Sequence, residues 1–195
     1  MRIRQPPLIL TLLASAVLLA LTALGAGATD PVDQTLSLQG VSFRVQTDNA
    51  SSLNRLTITP TGLKVDNHAI EVEADGTVTG AEVADLDANG SPEIYVYVTS
   101  AGSGSYGSLV AYAANNRKSL SQIYLPPIEE NPRAAAGYMG HDEFAVVEFS
   151  LVRRFPVYKA GDNNAAPSGG TRQLQYKLKA GEAGWLLVVD KVVEY

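Results

Sequence analysis

Apolar residues after position 30 recur with a period of two rather than with the 3.6-residue period of a helix. Short stretches alternate apolar and polar residues and are separated by Gly, Pro, Asn or Asp. The clearest stretches are 41–46, 56–59, 94–98, 173–178 and 185–193. This alternation is typical of strands in a half-buried antiparallel sheet. Since such stretches follow one another at short spacing, the sequence predicts an all-β fold built as a sandwich or a barrel.

Helix is predicted at one place, residues 131–136, where a proline lies near the start and a glycine follows the end. The rest of 115–140 is expected to be a long ordered excursion, and 161–170 a second long loop rich in Asn, Ala, Pro and Gly. Both separate strands rather than domains. We therefore predict a single domain over residues 29–195.

The first 28 residues have the three-part layout of a secretory signal peptide. Arg2 and Arg4 give a cationic start, 8–24 form a largely apolar core, and Ala26 and Ala28 form an A-x-A cleavage site. We expect cleavage after Ala28 and no membrane attachment afterwards. A retained membrane anchor is the alternative, because the apolar run is long for a signal peptide but short for a full span. A lipoprotein anchor is excluded, because no cysteine lies at the junction.

The composition excludes several classes of function. A chain of 195 residues without cysteine has no disulfide framework, thiolate zinc site, iron–sulfur cluster or cysteine nucleophile. Two histidines, His68 and His141, are too few for a multi-histidine metal centre. The formal charge of −5 becomes −7 once the leader removes two arginines and no acid. This acidity argues against a nucleic-acid partner, since phosphate contacts need clustered Lys and Arg. It favours encounter with cationic partners, and the alternative is that it only keeps the protein soluble.

The first segment with candidate chemistry is 100–108, which follows a predicted strand. Gly102, Gly104 and Gly107 match the G-x-G-x-x-G dinucleotide fingerprint, but a strand-like stretch follows where phosphate binding needs a helix. We therefore predict a hairpin loop whose glycines supply positive φ. Its serines and Tyr106 also have the composition of a recognition loop, which offers hydroxyl groups and an aromatic ring to a partner.

The second segment is a run of acidic residues before the strand at 94–98. Asp85, Asp87 and Asn89 copy the first half of a calcium loop, and Glu93 could partly replace the acid missing at the twelfth position. The same residue types form tight β-turns, and the sequence favours the turn. We therefore predict no metal and keep these four residues as weak candidates. An exported calcium-dependent binding module organised around them is the alternative function.

The third candidate is a nucleophilic triad that combines Ser103 or Ser105 with His141 and Asp142. The serine loop does not fit the G-x-S-x-G elbow in any register, so we predict no catalytic residue. His141 is expected to be a turn residue beside Gly140. A secreted hydrolase nevertheless stays open as an alternative, because proximity between the serines and the histidine cannot be read from a sequence.

Four blocks of the chain resemble the bacterial periplasmic inhibitors of invertebrate-type (i-type) lysozyme. The blocks are 103–107 (SGSYG), 137–144 (GYMGHDEF), 155–158 (FPVY) and 167–173 (PSGGTRQ). The resemblance extends over about 36–195, nearly the whole mature chain. It implies an antiparallel β-sandwich that inserts one protruding loop into the substrate cleft of a lysozyme.

The resemblance also implies which residues bind and what they bind. The family's loop serine and tyrosine correspond to Ser103 and Tyr106, and the rest of the expected lysozyme-binding loop is Gly104, Ser105 and Gly107. The implied partner is an i-type lysozyme, and the implied role is a periplasmic inhibitor, not an enzyme, that needs no cofactor and protects peptidoglycan.

Two further expectations follow from the resemblance. Arg172 is expected to add a cationic contact to the acidic lysozyme cleft, and a salt bridge within the fold is the equally supported alternative. Dimerisation through a sheet edge is consistent with the resemblance as well.

Overall fold

The computed structural model describes residues 30–182 and 184–195, so the predicted signal peptide lies outside the described residues. Within this part of the chain, strands make up nearly all of the regular structure. The strands are β1 (Val32–Leu38), β2 (Val41–Thr47), β3 (Leu53–Thr61), β4 (Ile70–Asp75), β5 (Thr77–Ala84), β6 (Glu93–Thr99), β7 (Gly107–Asn115), β8 (Ser119–Tyr124), β9 (Glu143–Val147), β10 (Ser150–Pro156), β11 (Thr171–Ala180) and β12 (Trp185–Glu194). A 3₁₀ turn (Ile128–Glu130) and helix α1 (Pro132–Ala135) follow β8. The all-β prediction is confirmed.

The strands form a small sheet and a large sheet. The small sheet has the order β1-β2-β3-β4, and the large sheet has the order β5-β6-β7-β8-β12-β11-β10-β9. Neighbouring strands are antiparallel except β8 and β12, which run parallel with Trp185 opposite Ile123. A parallel junction needs a long connection, and the chain between β8 and β12 supplies one by forming three other strands of the same sheet.

The large sheet curls until its two outer strands meet, so the sandwich description holds only approximately. Glu82 on β5 accepts a hydrogen bond from the backbone N–H of Val146 on β9. The same carboxylate accepts a hydrogen bond of 2.6 Å from the hydroxyl of Tyr97 on β6. The Tyr97 ring stacks on Phe144 of β9 at 5.7 Å between centroids. These contacts join the outer strands and turn the large sheet into a nearly closed barrel.

Strand β6 separates two hydrophobic cores. Tyr95 and Tyr97 face the barrel core, whereas Ile94, Val96 and Val98 face the core between the two sheets. All five side chains are buried. The grouping of these residues on two faces agrees with the alternation in the sequence. Burial on both faces explains why the stretch is apolar at every position from 94 to 98.

The inter-sheet core is completed by the inward face of the small sheet. Phe43 and Ile58, on the paired strands β2 and β3, are fully buried against the β6 face that carries Val96. The polar residues that alternate with the buried ones along β2 and β3 lie on the outer face of the small sheet, as a period of two requires. Pro60 lies within β3, where it pairs with Phe43 one residue before the strand ends. A proline is tolerated near a strand end, where few ladder bonds need its N–H.

The helix prediction is confirmed at reduced length. Asn131 caps α1 through its side chain, which accepts a hydrogen bond of 3.1 Å from the N–H of Ala134. The predicted excursion over 115–140 is wrong in part, because β8 pairs with β7 inside it. The loop at 161–170 is confirmed. Neither helical segment in the described part of the chain has the length and apolarity to span a bilayer.

Removal of the Tyr95 side chain tests the role of β6. Tyr95 is fully buried, so Tyr95→Ala is expected to lower the free energy of unfolding by about 3–5 kcal/mol. The matched control is Tyr124→Ala on β8, whose side chain is 52% exposed and whose loss should cost less than about 1 kcal/mol. Urea unfolding of both variants measures the difference. Equal costs in the two variants would contradict the central position of β6.

Candidate functional site

The serine loop connects β6 to β7 and projects beyond both strands. Its base is closed by two hydrogen bonds between Ser100 and Tyr106, one from the Ser100 N–H to the Tyr106 carbonyl and one from the Tyr106 N–H to Ser100 Oγ, each 2.9 Å long. A third bond of 2.9 Å runs from the Ser105 N–H to the Gly102 carbonyl. The predicted hairpin is confirmed, since Thr99 and Gly107 face each other across antiparallel strands.

The glycines of the loop do not supply positive φ, contrary to the prediction. The residue with positive φ is Ser105, at 44°. Two glycines instead allow close approach. A Cβ on Gly104 would overlap the ring of Tyr106, and a Cβ on Gly107 would lie 2.6 Å from the Cβ of Asp142. The sequence could not reveal this role, because both neighbours reach the glycines through folding of the chain.

Segments distant in sequence hold the loop from outside. The N–H of His141 donates a hydrogen bond of 2.7 Å to the Gly104 carbonyl. The side chain of Asn164 donates a bond of 2.7 Å to the Ser103 carbonyl. Both anchors come from segments that follow the loop in sequence, and they bind the carbonyl oxygens of two adjacent loop residues. The backbone of the loop is therefore fixed while its side chains remain available.

The deepest anchor is a buried ion pair between Asp142 and Arg153. The side chains are 0% and 6% exposed, and Arg153 Nε lies 2.6 Å from Asp142 Oδ1. The other carboxylate oxygen of Asp142 accepts bonds from the Tyr138 hydroxyl at 2.6 Å and from the Gly107 N–H at 2.7 Å. Arg153 Nη2 donates to the same hydroxyl at 2.6 Å. A buried carboxylate with this many donors is both neutralised by charge and satisfied in hydrogen bonding.

The electrostatics of this cluster keep the Arg153 guanidinium charged and the Tyr138 hydroxyl neutral. Burial works against the positive charge of Arg153, but the hydrogen bond and attraction from Asp142 outweigh it and raise the pKa of Arg153 above its ordinary value. Burial, together with the bond to Asp142, raises the pKa of the Tyr138 hydroxyl. The cluster is therefore expected to keep these protonation states at any physiological pH.

Tyr106 lies at the outer end of a column of aromatic rings. Its ring contacts the edge of Tyr138 at 5.7 Å between centroids, and Tyr138 contacts Phe155 in the barrel core at 4.8 Å, both in T-shaped geometry. The outer face of Tyr106 is open, since the residue is 48% exposed. The column thus connects the barrel core to the surface and orients an exposed ring.

Several polar groups at the loop tip have no partner within the described residues. The hydroxyls of Ser103, Ser105 and Tyr106 form no hydrogen bond there, and neither does the N–H of Gly104. Ser103 is exposed. The tip therefore offers hydroxyl and amide donors beside an aromatic ring and carries no charged side chain.

A groove of about 400 Å³ runs along one side of Tyr106. Its lining includes Tyr106, Leu109, Pro126, Tyr138 and Arg153. The groove lies next to the loop and shares the anchoring residues with it. A partner that surrounds the loop would cover this groove as well.

His141 lies beside the serine loop but is not oriented for catalysis. Its ring nitrogen Nε2 lies 3.1 Å from Asn164 Oδ1, and its ring stacks on Tyr158 at 6.4 Å between centroids. No hydrogen bond links His141 to the hydroxyl of Ser103 or Ser105 in the part of the chain that the structure describes. Its positive φ of 59° agrees with the expected turn position beside Gly140.

Arg172 is engaged inside the fold, as the alternative interpretation of the sequence anticipated. Its guanidinium donates to the carbonyls of Ala134 and Ala136 at the end of α1. It also pairs with Glu194 on β12 at 2.8 Å, and its side chain is 6% exposed. These bonds fasten the end of α1 to the sheet.

The acidic turn between β5 and β6 brings three carboxylates together. One oxygen from each of Asp85, Asp87 and Glu93 lies within 4.8 Å of the others. Asp85 accepts hydrogen bonds from the N–H groups of Asn89 and Gly90, both 2.9 Å long, as a tight turn requires. The predicted turn is therefore present. The cluster lies at the end of β6 opposite the serine loop.

Sequence reasoning missed the residues that hold the loop. Tyr138 lies in the block 137–144 but was given no role, Arg153 carries no motif, and Asn164 lies in a stretch that looks like an ordinary loop. One signal was available for Arg153: it shares an inward face of β10 with Leu151 and Phe155, and a charge on an apolar face needs a buried partner. The identity of that partner depends on the tertiary fold.

Comparison with known proteins supports the resemblance over part of the chain. Residues 63–131 match the family described as "Periplasmic lysozyme inhibitor of I-type lysozyme". The matched segment contains β4 to β8, the acidic turn and the serine loop, whereas the blocks at 137–144, 155–158 and 167–173 lie beyond it. No curated protein matches the chain. The resemblance to this family is confirmed for the matched segment.

Asp142→Asn tests the buried anchor. The substitution leaves Arg153 charged and buried without a counter-ion, so the free energy of unfolding is expected to fall by about 3 kcal/mol or more. The control, Asp190→Asn, makes the same charge change at an exposed position of β12 and should cost less than about 0.5 kcal/mol. Denaturant unfolding measures both. A loss below about 1 kcal/mol in Asp142→Asn would contradict the anchor.

Two alanine substitutions in the loop test the position of the Tyr106 ring. Gly104→Ala would place a methyl group against the ring and is expected to displace it from Tyr138. Gly102→Ala is the matched control, because its Cβ would meet no atom within 4 Å. Nuclear Overhauser contacts between the two tyrosine rings should disappear in Gly104→Ala and persist in Gly102→Ala. Their persistence in both variants would contradict the described packing.

Proposed function

We propose that this chain is an exported inhibitor of i-type lysozyme that blocks the enzyme by placing its serine loop in the active-site cleft. The observation that carries the proposal is the loop itself: a rigid projection whose exposed tip combines free hydroxyl groups with a half-exposed tyrosine ring. The family match supports it, because the matched segment includes this loop.

The chemistry of the tip suits the catalytic centre of a lysozyme. Such enzymes flank the scissile glycosidic bond with two carboxyl groups, one acting as acid and the other ionised. The hydroxyl of Ser103 and the N–H of Gly104 can donate hydrogen bonds to those carboxyl groups, and bonds to an ionised acceptor are the stronger kind. Ser103 is therefore the residue that we assign to the carboxylates.

Tyr106 is proposed to occupy the place of a sugar ring. An aromatic ring supplies a large apolar area, and its hydroxyl can still bond to polar groups of the cleft. Its contact with Tyr138 limits the freedom of the ring before binding. Less entropy is then lost on association, so more of the contact energy contributes to affinity.

The proposal explains why the interaction ends without a reaction. The loop presents serine, glycine and tyrosine and contains no glycosidic bond for the enzyme to cleave. Gly104, Ser105 and Gly107 contribute the close backbone approach and the shape of the tip. The loop would therefore occupy the cleft without being cleaved, which agrees with the inhibitor family that the matched segment resembles.

Charge is proposed to aid the encounter rather than the final contact. The chain is acidic, with a formal charge of −5, and a lysozyme that binds the anionic bacterial wall is often cationic. Opposite net charges accelerate association, and salt weakens this effect. The uncharged loop avoids burying an unpaired charge in the cleft.

The place of action follows from the leader. We propose that residues 1–28 direct export and that cleavage after Ala28 releases the inhibitor into the periplasm, where it would protect peptidoglycan. The printed name of the matched family also refers to the periplasm.

Tyr106→Ala tests the proposal most simply. Loss of a central aromatic anchor is expected to weaken inhibition of an i-type lysozyme by about 2 kcal/mol or more, which is roughly 30-fold in the inhibition constant. The matched control is Tyr195→Ala, another exposed tyrosine, which should leave inhibition unchanged. Wall-lysis assays with i-type, chicken-type and goose-type lysozymes measure the effect and the selectivity.

An unchanged inhibition constant in Tyr106→Ala would refute the assignment of this residue. Absence of inhibition of any i-type lysozyme by the purified wild-type protein would refute the proposed function itself.

A further inference from the structure

Glu93 is a buried carboxylate with an unsatisfied oxygen. The residue is 0% exposed, and its Oε1 atom has no hydrogen-bond partner among residues 30–182 and 184–195. The other oxygen accepts a bond of 2.8 Å from the Leu86 N–H and a longer one of 3.4 Å from the Tyr95 hydroxyl. Leaving a buried carboxylate oxygen without a partner is costly, so the unpaired atom requires an explanation.

The surroundings of Glu93 make the burial of its carboxylate more unfavourable. Oxygens of Asp85 and Asp87 lie within 4.8 Å of it, and no Lys, Arg or His forms a salt bridge with any of the three carboxylates in the described residues. Three acidic groups are thus held together with no compensating positive charge.

We propose that Asp85, Asp87 and Glu93 form a calcium site, with Asn89 as a further oxygen ligand. The spacing agrees with this chemistry. Numbered from Asp85 in the Asp-x-Asp-x-Asn-Gly loop, the four residues stand at positions 1 (Asp85), 3 (Asp87), 5 (Asn89) and 9 (Glu93). Alternate residues of such loops supply calcium ligands. A tight turn needs no buried acid at the position of Glu93. The turn alone therefore does not explain the unsatisfied Oε1 of this residue.

Calcium is the cation that fits the available atoms. The cluster offers only oxygen ligands, which hard cations prefer, and it contains no nitrogen or sulfur ligand for a transition metal. Calcium accepts irregular arrangements of six to eight oxygens, whereas magnesium requires a tight octahedron. Sites in extracellular modules bind calcium with dissociation constants of about 0.1–1 mM, and we expect the same range here.

The site would stabilise the strand that carries the loop without contacting the partner. Glu93 is the first residue of β6, and the serine loop follows its last residue, Thr99. Seven residues of strand separate the two by roughly 20 Å. The cation would fasten β5 to β6 at the end opposite the loop. Its effect is therefore expected on folding stability and not on the groups that enter the cleft.

Thermal unfolding and calorimetry of the purified protein test the proposal. Calcium at 10 mM is expected to raise the melting temperature by about 3–10 °C over chelator, with one ion bound per chain. Magnesium at the same concentration should give a clearly smaller shift. Because the readout is stability and stoichiometry, failure of this experiment would leave the proposed lysozyme inhibition untouched.

Two variants distinguish the site from a general charge effect. Glu93→Gln should abolish the response to calcium and be at least as stable as the wild type in chelator, because it removes a buried charge. Asp87→Asn, an exposed substitution, should weaken calcium binding at least tenfold. Asp190→Asn makes the same charge change on β12 and should leave binding unchanged.

Three results would overturn the proposal. The first is a wild-type protein whose melting temperature does not respond to calcium, in which case a proton or a buried water satisfies Glu93. The second is an equal response to calcium and magnesium. The third is a loss of binding in Asp190→Asn as large as that in Asp87→Asn.

Discussion

The ion pair between Asp142 and Arg153 is the interaction on which the serine loop depends. The pair is buried, and its carboxylate holds the first residue of β7 through the N–H of Gly107. Removal of Asp142 would leave Arg153 as a buried, unpaired charge and would also release the Gly107 N–H, whereas removal of Arg153 would leave Asp142 buried without its counter-ion. Because the pair is neutral and fully bonded, it stabilises one loop position without placing charge at the surface. A flexible loop of the same composition would lose more entropy on binding.

Different parts of the fold hold different parts of the serine loop. Arg153 on β10 and Tyr138 in the segment before β9 form the base of the loop. The segments around His141 and Asn164 hold the loop backbone, and the hydroxyls of the tip stay unbonded within the described residues. The small sheet covers the outer face of β6, and the acidic turn begins that strand at its other end. Strand β6 therefore joins the inter-sheet core, the barrel core, the turn and the loop, so its position governs that of every candidate site.

The sequence predicted what depends on local pattern and missed what depends on tertiary contacts. Alternation located β2, β6 and β11 and the hairpin between β6 and β7, because a period of two survives in any half-buried strand. It did not reveal β8, whose short polar stretch has a weak pattern, or the parallel pairing of β8 with β12.

The candidate site was likewise predictable only in part. Ser103 and Tyr106 were identified from composition and resemblance, whereas their anchors, and the space that Gly104 provides, depend on residues brought together only by folding. Glu93 was named as a candidate, but its burial could not be read from a β-turn motif.

The central claim is that the serine loop and a polysaccharide compete for the same cleft. The most direct measurement is the affinity of the protein for an i-type lysozyme in the presence of a non-hydrolysed chitin oligosaccharide that fills the sugar subsites. The account predicts strict competition: the apparent dissociation constant rises in proportion to the oligosaccharide concentration once the subsites are saturated. Binding that is unaffected by a saturated cleft would place the contact elsewhere on the enzyme and contradict the account.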